Sequence, residues 1–223
     1  MLEPMPDLTR MTTVASSAVT QRENAVARLS RRHVGNVMIR SGRLVACDPF
    51  GDFPESLFGE RIPSGTHSVV LCVASLPDAL QLVAYSALYV SGHEPIQWDV
   101  AHVIVSPLPA MPDYFNVESN TACYLDAEAL PMLAAKFDPT NPSDPFRLWL
   151  AQELYAREPT QIGAMSLEVS REPRLNAVLF ETGWGNGCYR SYVGRDVNGG
   201  LCCLLTDFGV LDLSSMAEGM PDQ

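Results

Sequence analysis

The sequence predicts an α+β protein that is mainly β: an antiparallel β-sandwich or an open, barrel-like sheet, with an N-terminal helix and two central helices packed on it. Three observations point there. Short apolar runs of strand length recur at roughly 8 to 15-residue spacing, separated by turn signals. Helical periodicity is confined to three places. No βαβ alternation and no internal repeat is visible. The chain divides into a lead and helix over residues 1–35, one mainly-β domain over 36–213, and an acidic tail over 214–223.

The elements follow in order. Residues 1–12, with Pro4 and Pro6, read as a flexible lead. Over about residues 16–31 a helix is expected: Ala15, Ala18, Val19, Ala25, Val26 and Leu29 recur at helical spacing, while Arg22, Arg28, Arg31 and Arg32 fall mostly on other faces. Residues 37–39 and 43–47 flank Ser41-Gly42, which predicts a hairpin. Asp48-Pro49 ends its second strand, because proline cannot donate a ladder hydrogen bond. Residues 50–65, rich in Gly and Pro, read as a loop. Strands are expected over 68–73 and 84–90.

Residues 96–105 read as one strand, with Ile96, Trp98, Val100, His102 and Ile104 on a shared face by period two, so His102 is expected among apolar neighbours. A Pro-rich connector over 107–112 leads to a strand over 121–125. A helix over 127–137 is expected to be capped by Asp126. A second helix has Asp144 as its cap, Pro145 at its first position, and Phe146, Trp149, Leu150 and Leu154 as its apolar stripe. Strands are expected over 164–169, 176–181, 189–195 and 201–205, with a further one over 208–213. Asp196-Val197-Asn198-Gly199-Gly200 reads as a hairpin turn, since Asn-Gly tolerates positive φ.

Composition bounds the function. With 223 residues, 47% apolar and 18% charged, the chain has enough apolar surface to fold without staples. A net charge of -11 argues against nucleic acid as a partner, because phosphate is repelled. The N-terminus lacks the basic start and apolar core of a secretory signal, and no run approaches the ~18 apolar residues of a membrane span. The expected location is cytoplasmic, away from membranes. None of the six cysteines forms a C-x-x-C pair, and His33, His67, His93 and His102 are scattered. Reduced core thiols are therefore expected, with no metal and no cofactor.

Two groups of residues are candidates for chemistry. In Gly183-Trp184-Gly185-Asn186-Gly187-Cys188-Tyr189 the alternating glycines permit close backbone approach. Trp184, Tyr189 and Tyr192 would then act as stacking platforms and Asn186 as a polar contact; a bulged turn at a sheet corner explains the same pattern. Three aspartates stand at strand ends: Asp48, Asp126 and Asp207. If gathered, they suit acid–base work or a divalent cation; each also has a local role in a turn, a cap or a strand exit.

Three blocks together resemble a bacterial family of unknown function, domain-of-unknown-function family 4241. They are Gly42-Arg43-Leu44-Val45-Ala46-Cys47-Asp48-Pro49; Cys123-Tyr124-Leu125-Asp126-Ala127-Glu128-Ala129; and the Gly183–Tyr189 segment with Asp196, Gly199 and Thr206-Asp207-Phe208. The resemblance spans about residues 36–212 and implies a bacterial, mostly β protein. It supplies no activity and no catalytic residues. The family usually has Asp where this chain has Asn186, a change that weakens any cation site there. The resemblance also implies proximity to toxin systems, and hence an immunity or accessory binding role.

The leading expectation is a non-enzymatic binding protein whose partner is a protein, a basic toxin domain, met through acidic loop residues Asp52, Glu55, Glu60, Asp113 and Glu118. The alternative is a hydrolase-like enzyme using Asp48, Asp126 and Asp207 near the Gly-rich aromatic loop. A small-ligand or carbohydrate binder built on Trp184, Tyr189 and Tyr192 is the third. Oligomeric state is left open.

Overall fold

The computed structural model describes residues 8, 17–22, 25–51, 55–106, 113–138, 141, 143–155 and 161–212. Among them the strands are β1 (Ser17–Val19), β2 (Val26–Ile39), β3 (Arg43–Cys47), β4 (Glu55–Arg61), β5 (Gly65–Ser75), β6 (Gln81–Tyr89), β7 (Gln97–Val100), β8 (Val103–Ser106), β9 (Tyr114–Val117), β10 (Thr121–Asp126), β11 (Ala164–Ser170), β12 (Leu175–Glu181), β13 (Gly187–Arg195) and β14 (Leu201–Asp207). The helices are α1 (Leu130–Ala134) and α2 (Pro145–Tyr155). Antiparallel pairing builds an eight-stranded sheet, ordered β1-β2-β5-β6-β14-β13-β7 with β9 also on β13, and a six-stranded sheet, ordered β11-β12-β10-β3-β4-β8. The mainly-β, antiparallel expectation holds; no closed barrel forms among the described residues.

Strand β10 shows how the layers stack. All six of its residues are buried, and alternation sends successive side chains to opposite faces. Ala122 and Tyr124 join the core between the two sheets. Cys123 and Leu125 join a second core with Leu130 and Leu133 of α1 and Leu150 and Leu154 of α2. The order is therefore sheet, sheet, helices. A strand buried on both faces reads as continuous apolar sequence, which is what Ala122-Cys123-Tyr124-Leu125 is. Each such fully buried large side chain contributes about 1.5–3 kcal/mol.

The two sheets are also tied at their edges. Asn176 of β12 donates from Nδ2 to the Asn36 carbonyl at 2.7 Å and accepts the Met38 N–H at 2.9 Å, so one side chain stands in for a strand rung between β12 and β2. At the other side Arg195 of β13 reaches Glu60 of β4 at 2.9 Å.

Several expectations are corrected. The helix predicted over 16–31 is absent: β1 and β2 occupy its described part, and β2 pairs with β5 from Arg28 to Ile39. Long-range pairing overrides the helical spacing of the alanines. The hairpin predicted at Ser41-Gly42 is instead a corner, because β2 and β3 belong to different sheets. Gly42 supplies its positive φ of 73°. The single strand predicted over 96–105 breaks at Ala101-His102 and continues in the other sheet as β8. His102 is consequently exposed rather than set among apolar neighbours, and its Nδ1 pairs with Asp113 at 2.9 Å.

The loop predicted over 50–65 contains β4. The helix predicted over 127–137 is only α1, and no side chain caps it. Asp144 does cap α2, accepting the Arg147 N–H at 2.8 Å. Trp149, placed on that helix's apolar stripe, is 40% exposed. Residues 208–212 contribute only an isolated bridge, Leu211 with Thr20. The lead (1–12), the connector (107–112) and the tail (214–223) lie outside the described residues, except Leu8, which is buried.

Candidate functional site

The three strand-end aspartates stand apart. Cys47 pairs with Cys123 and Leu44 with Asp126, so Asp48 and Asp126 lie at opposite ends of the β3–β10 pair. Four residues of strand separate them, about 13 Å. Asp207 ends β14 in the other sheet. Asp48 and Asp126 are buried and fully engaged by backbone donors. Asp48 accepts N–H groups from Phe50 (2.8 Å), Glu118 (2.8 Å) and Ser119 (2.7 Å), and the Ser119 hydroxyl. Asp126 accepts from Arg40 N–H (2.7 Å), Ser41 N–H (2.8 Å), the Ser41 hydroxyl (3.0 Å) and Glu128 N–H (2.8 Å), which fixes the sheet-to-sheet corner.

The Gly-rich loop joins Asp48 through a shared neighbour. Asn186 Oδ1 accepts the Asn120 N–H at 2.9 Å, one residue beyond the Ser119 that Asp48 holds. Asn120 has φ 63°. Tyr189 is buried, donates its hydroxyl to the Gly185 carbonyl, and packs edge-on to Phe208 at 4.9 Å. Trp184 is half-buried beneath the Arg22 guanidinium, 4.8 Å from the ring centroid. These contacts bind the loop to the body of the protein.

Tyr192 lies elsewhere. Tyr189 and Tyr192 are three apart on β13 and so point to opposite faces. The inward face is marked by hydroxyls. Tyr124 bonds Ser86 at 2.8 Å and Thr206 at 2.7 Å, and Ser191 bonds Thr206 at 2.8 Å. Their strand neighbours Tyr85, Asp207 and Arg190 therefore face away from the second sheet, with Tyr192. Register aligns them. Arg31, Cys72, Tyr85, Asp207, Arg190 and Tyr114 are each directly opposite the next, a row across six adjacent strands. Directly opposed side chains have Cβ atoms about 4.5–5.5 Å apart and interact.

This outward row has unusual electrostatics. Burial pushes the Asp207 carboxyl up to about 6, opposed by the Gly209 N–H at 2.9 Å. Burial also raises the Tyr192 hydroxyl, with the Asp207 charge adding and Arg190 opposing. Burial pushes the Cys72 thiol up to about 11, opposed by a hydrogen bond from Tyr85 and by the Arg31 charge. Arg190 lies over the Tyr114 ring at 4.6 Å, and its Nε is buried without a hydrogen-bond partner. Such an orphan donor costs about 1–3 kcal/mol. Trp98, on the same face opposite Gly194, is 8% exposed, and its indole N–H is likewise unpartnered.

Of the acidic loop residues, Glu60 is committed to Arg195 and Asp113 to His102. Glu118 accepts from Asn116 at 2.7 Å. Glu55 opens β4, and Asp52 lies outside the described residues. No group of three or more metal-ligating side chains occurs among the described residues. No helix there is long and apolar enough to cross a membrane. Sequence pattern placed Tyr192 on a strand and Asp207 at a strand exit, whereas β14 runs on through Asp207; the row itself was missed, because its members come from six strands and register is not written in any one of them.

A mainly-β protein of two packed antiparallel sheets is the class that this geometry defines. Over residues 37–206 the chain matches the family described as a protein of unknown function, DUF4241, and it belongs to that family. No curated protein and no solved structure matches the chain.

Proposed function

We propose that the chain is a non-enzymatic binding protein that seats a basic protein partner at the half-buried Asp207, Arg190 and Tyr114 on the eight-stranded sheet, as an immunity protein meets its toxin. The observation that carries this reading is the half-buried end of the cross-strand row, Asp207, Arg190 and Tyr114, with an under-solvated carboxyl at Asp207 and an orphan donor at Arg190; Cys72 and Tyr85 in the same row are buried. Tyr, Trp and Arg are the residues that concentrate binding energy at interfaces. A partner cation brought to Asp207 favours its ionised form, and a partner carbonyl satisfies Arg190 Nε. The net charge of -11 steers a basic partner toward the surface. The test is co-expression with the product of the adjacent gene. Arg190→Gln and Tyr114→Ala should each weaken the complex at least tenfold while near-ultraviolet circular dichroism stays unchanged. Absence of a complex, or affinity untouched by both changes, overturns the reading.

The enzymatic alternative keeps one observation in its favour: a carboxyl near 6 beside the Tyr192 hydroxyl is suited to proton transfer. A paired carboxylate is missing from it, since Asp48 and Asp126 are spent on backbone donors.

A further inference from the structure

We infer that Cys47 and Cys123 are an oxidisable dithiol, a modification site at which a peroxide converts two buried thiols into one disulfide. Strand register places them directly opposite each other in β3 and β10, and their sulfur atoms are 3.3 Å apart. Directly opposed residues of an antiparallel pair have Cα atoms roughly 4.5–5.5 Å apart. That separation lies inside the range of about 4.4–6.8 Å that a disulfide accepts. The bond forms by side-chain rotation, with the ladder intact.

The remaining cysteines are placed differently. Cys72 is held by Tyr85. Cys202 and Cys203 are consecutive on β14 and point to opposite faces. Cys188 is exposed. Both Cys47 and Cys123 sit in the core beneath α1 and α2, so the oxidant must be small. The position also has a structural consequence. Cys47 precedes Asp48, whose carboxylate holds the Glu118–Ser119 backbone, and β10 begins two residues after Ser119. A bond here closes a covalent ring around that clasp.

The chemistry balances with hydrogen peroxide as oxidant. The hydrogen bond to Cys47 and burial push the Cys123 thiol well above its ordinary range, which leaves the Cys47 sulfur to react first. As it gives up its S–H proton, the Cys47 sulfur takes one peroxide oxygen; the O–O bond breaks, and the departing hydroxide collects that proton as water. The Cys123 sulfur then displaces the sulfenic oxygen, which leaves as a second water with the Cys123 proton. Two S–H bonds are lost, one S–S bond is made, and one peroxide becomes two waters.

The test treats the folded, full-length protein with hydrogen peroxide, then denatures it, alkylates free thiols and maps the peptides by mass spectrometry. The expected result is loss of two of the six alkylatable thiols, a Cys47–Cys123 cross-linked peptide, and a higher thermal midpoint. Cys47→Ser should abolish the cross-link. If that variant does not fold, Cys123→Ala is read in its place. Retention of both thiols, a cross-link through Cys188 instead, or one that forms only in urea overturns the inference.

Discussion

The Asp48 carboxylate grips the backbone N–H of Ser119 at 2.7 Å, across 71 residues of sequence. Together with Phe50 and Glu118, that makes three backbone donors resting on one buried side chain. Asp48→Ala should destabilise the fold by about 2–4 kcal/mol, since donors left unpaired each carry a desolvation cost. Asp48→Asn, which keeps one acceptor oxygen, should cost less. Urea denaturation midpoints check both values.

Asp207 predicts a pH dependence of stability. An unfolded aspartate titrates near 3.8, whereas this one is near 6 in the fold. Between those values the folded protein binds more protons than the unfolded chain. Stability from this group is therefore full below about 4, falls as pH rises to about 6, and is flat above. Asp207→Asn should remove that slope and raise stability at pH 7 by about 1–3 kcal/mol. Arg190 and Tyr192 on β13 and Tyr85 on β6 face the carboxyl. Thermal melts of both proteins between pH 4 and pH 8 give the comparison.

Tyr124→Phe isolates the buried hydroxyl chain. Its hydroxyl links Ser86 and Thr206 in the core between the sheets. The ring's contact with Phe180 survives the change. A loss of about 1–3 kcal/mol is expected, and adding Ser86→Ala should cost less than the two single changes summed, as a double-mutant cycle would show.

Two glycines separate crowding from backbone strain. A Cβ on Gly183 would stand 2.5 Å from Val210 and 2.8 Å from the Val83 carbonyl, so Gly183→Ala should cost about 2–4 kcal/mol. A Cβ on Gly199 meets nothing within 4 Å, but its φ is 77°. Gly199→Ala should cost only about 1–2 kcal/mol. Calorimetric midpoints give both.

What the sequence made legible was local. Asp144-Pro145 marks the start of α2, and Asp196 to Gly200 marks the β13–β14 turn, because caps and tight turns are decided by neighbours along the chain. β10 was legible because burial on both faces leaves an unbroken apolar run. β2 was not: its arginines and alanines carry a helical spacing, and only pairing with β5 makes it a strand. The sheet changes at Ser41-Gly42 and Ala101-His102 were equally hidden, since a corner and a hairpin use the same residue types. Of the candidate residues, Asp48 and Asn186 meet through the bend at Ser119-Asn120, a relation set by tertiary structure alone.

Those sheet changes have a kinetic meaning. The chain leaves one sheet for the other between β2 and β3, β4 and β5, β7 and β8, β8 and β9, β9 and β10, and β12 and β13. Neither sheet is a continuous stretch of sequence, and the eight-stranded one needs both ends of the chain, from β1 to β14. Such an interleaved chain gains little until distant segments meet, and folding should be slow and all-or-none. During synthesis the β13 and β14 strands, which sit among β6, β7 and β9, emerge last. The eight-stranded sheet therefore carries an open gap at its middle until nearly the whole chain has been made.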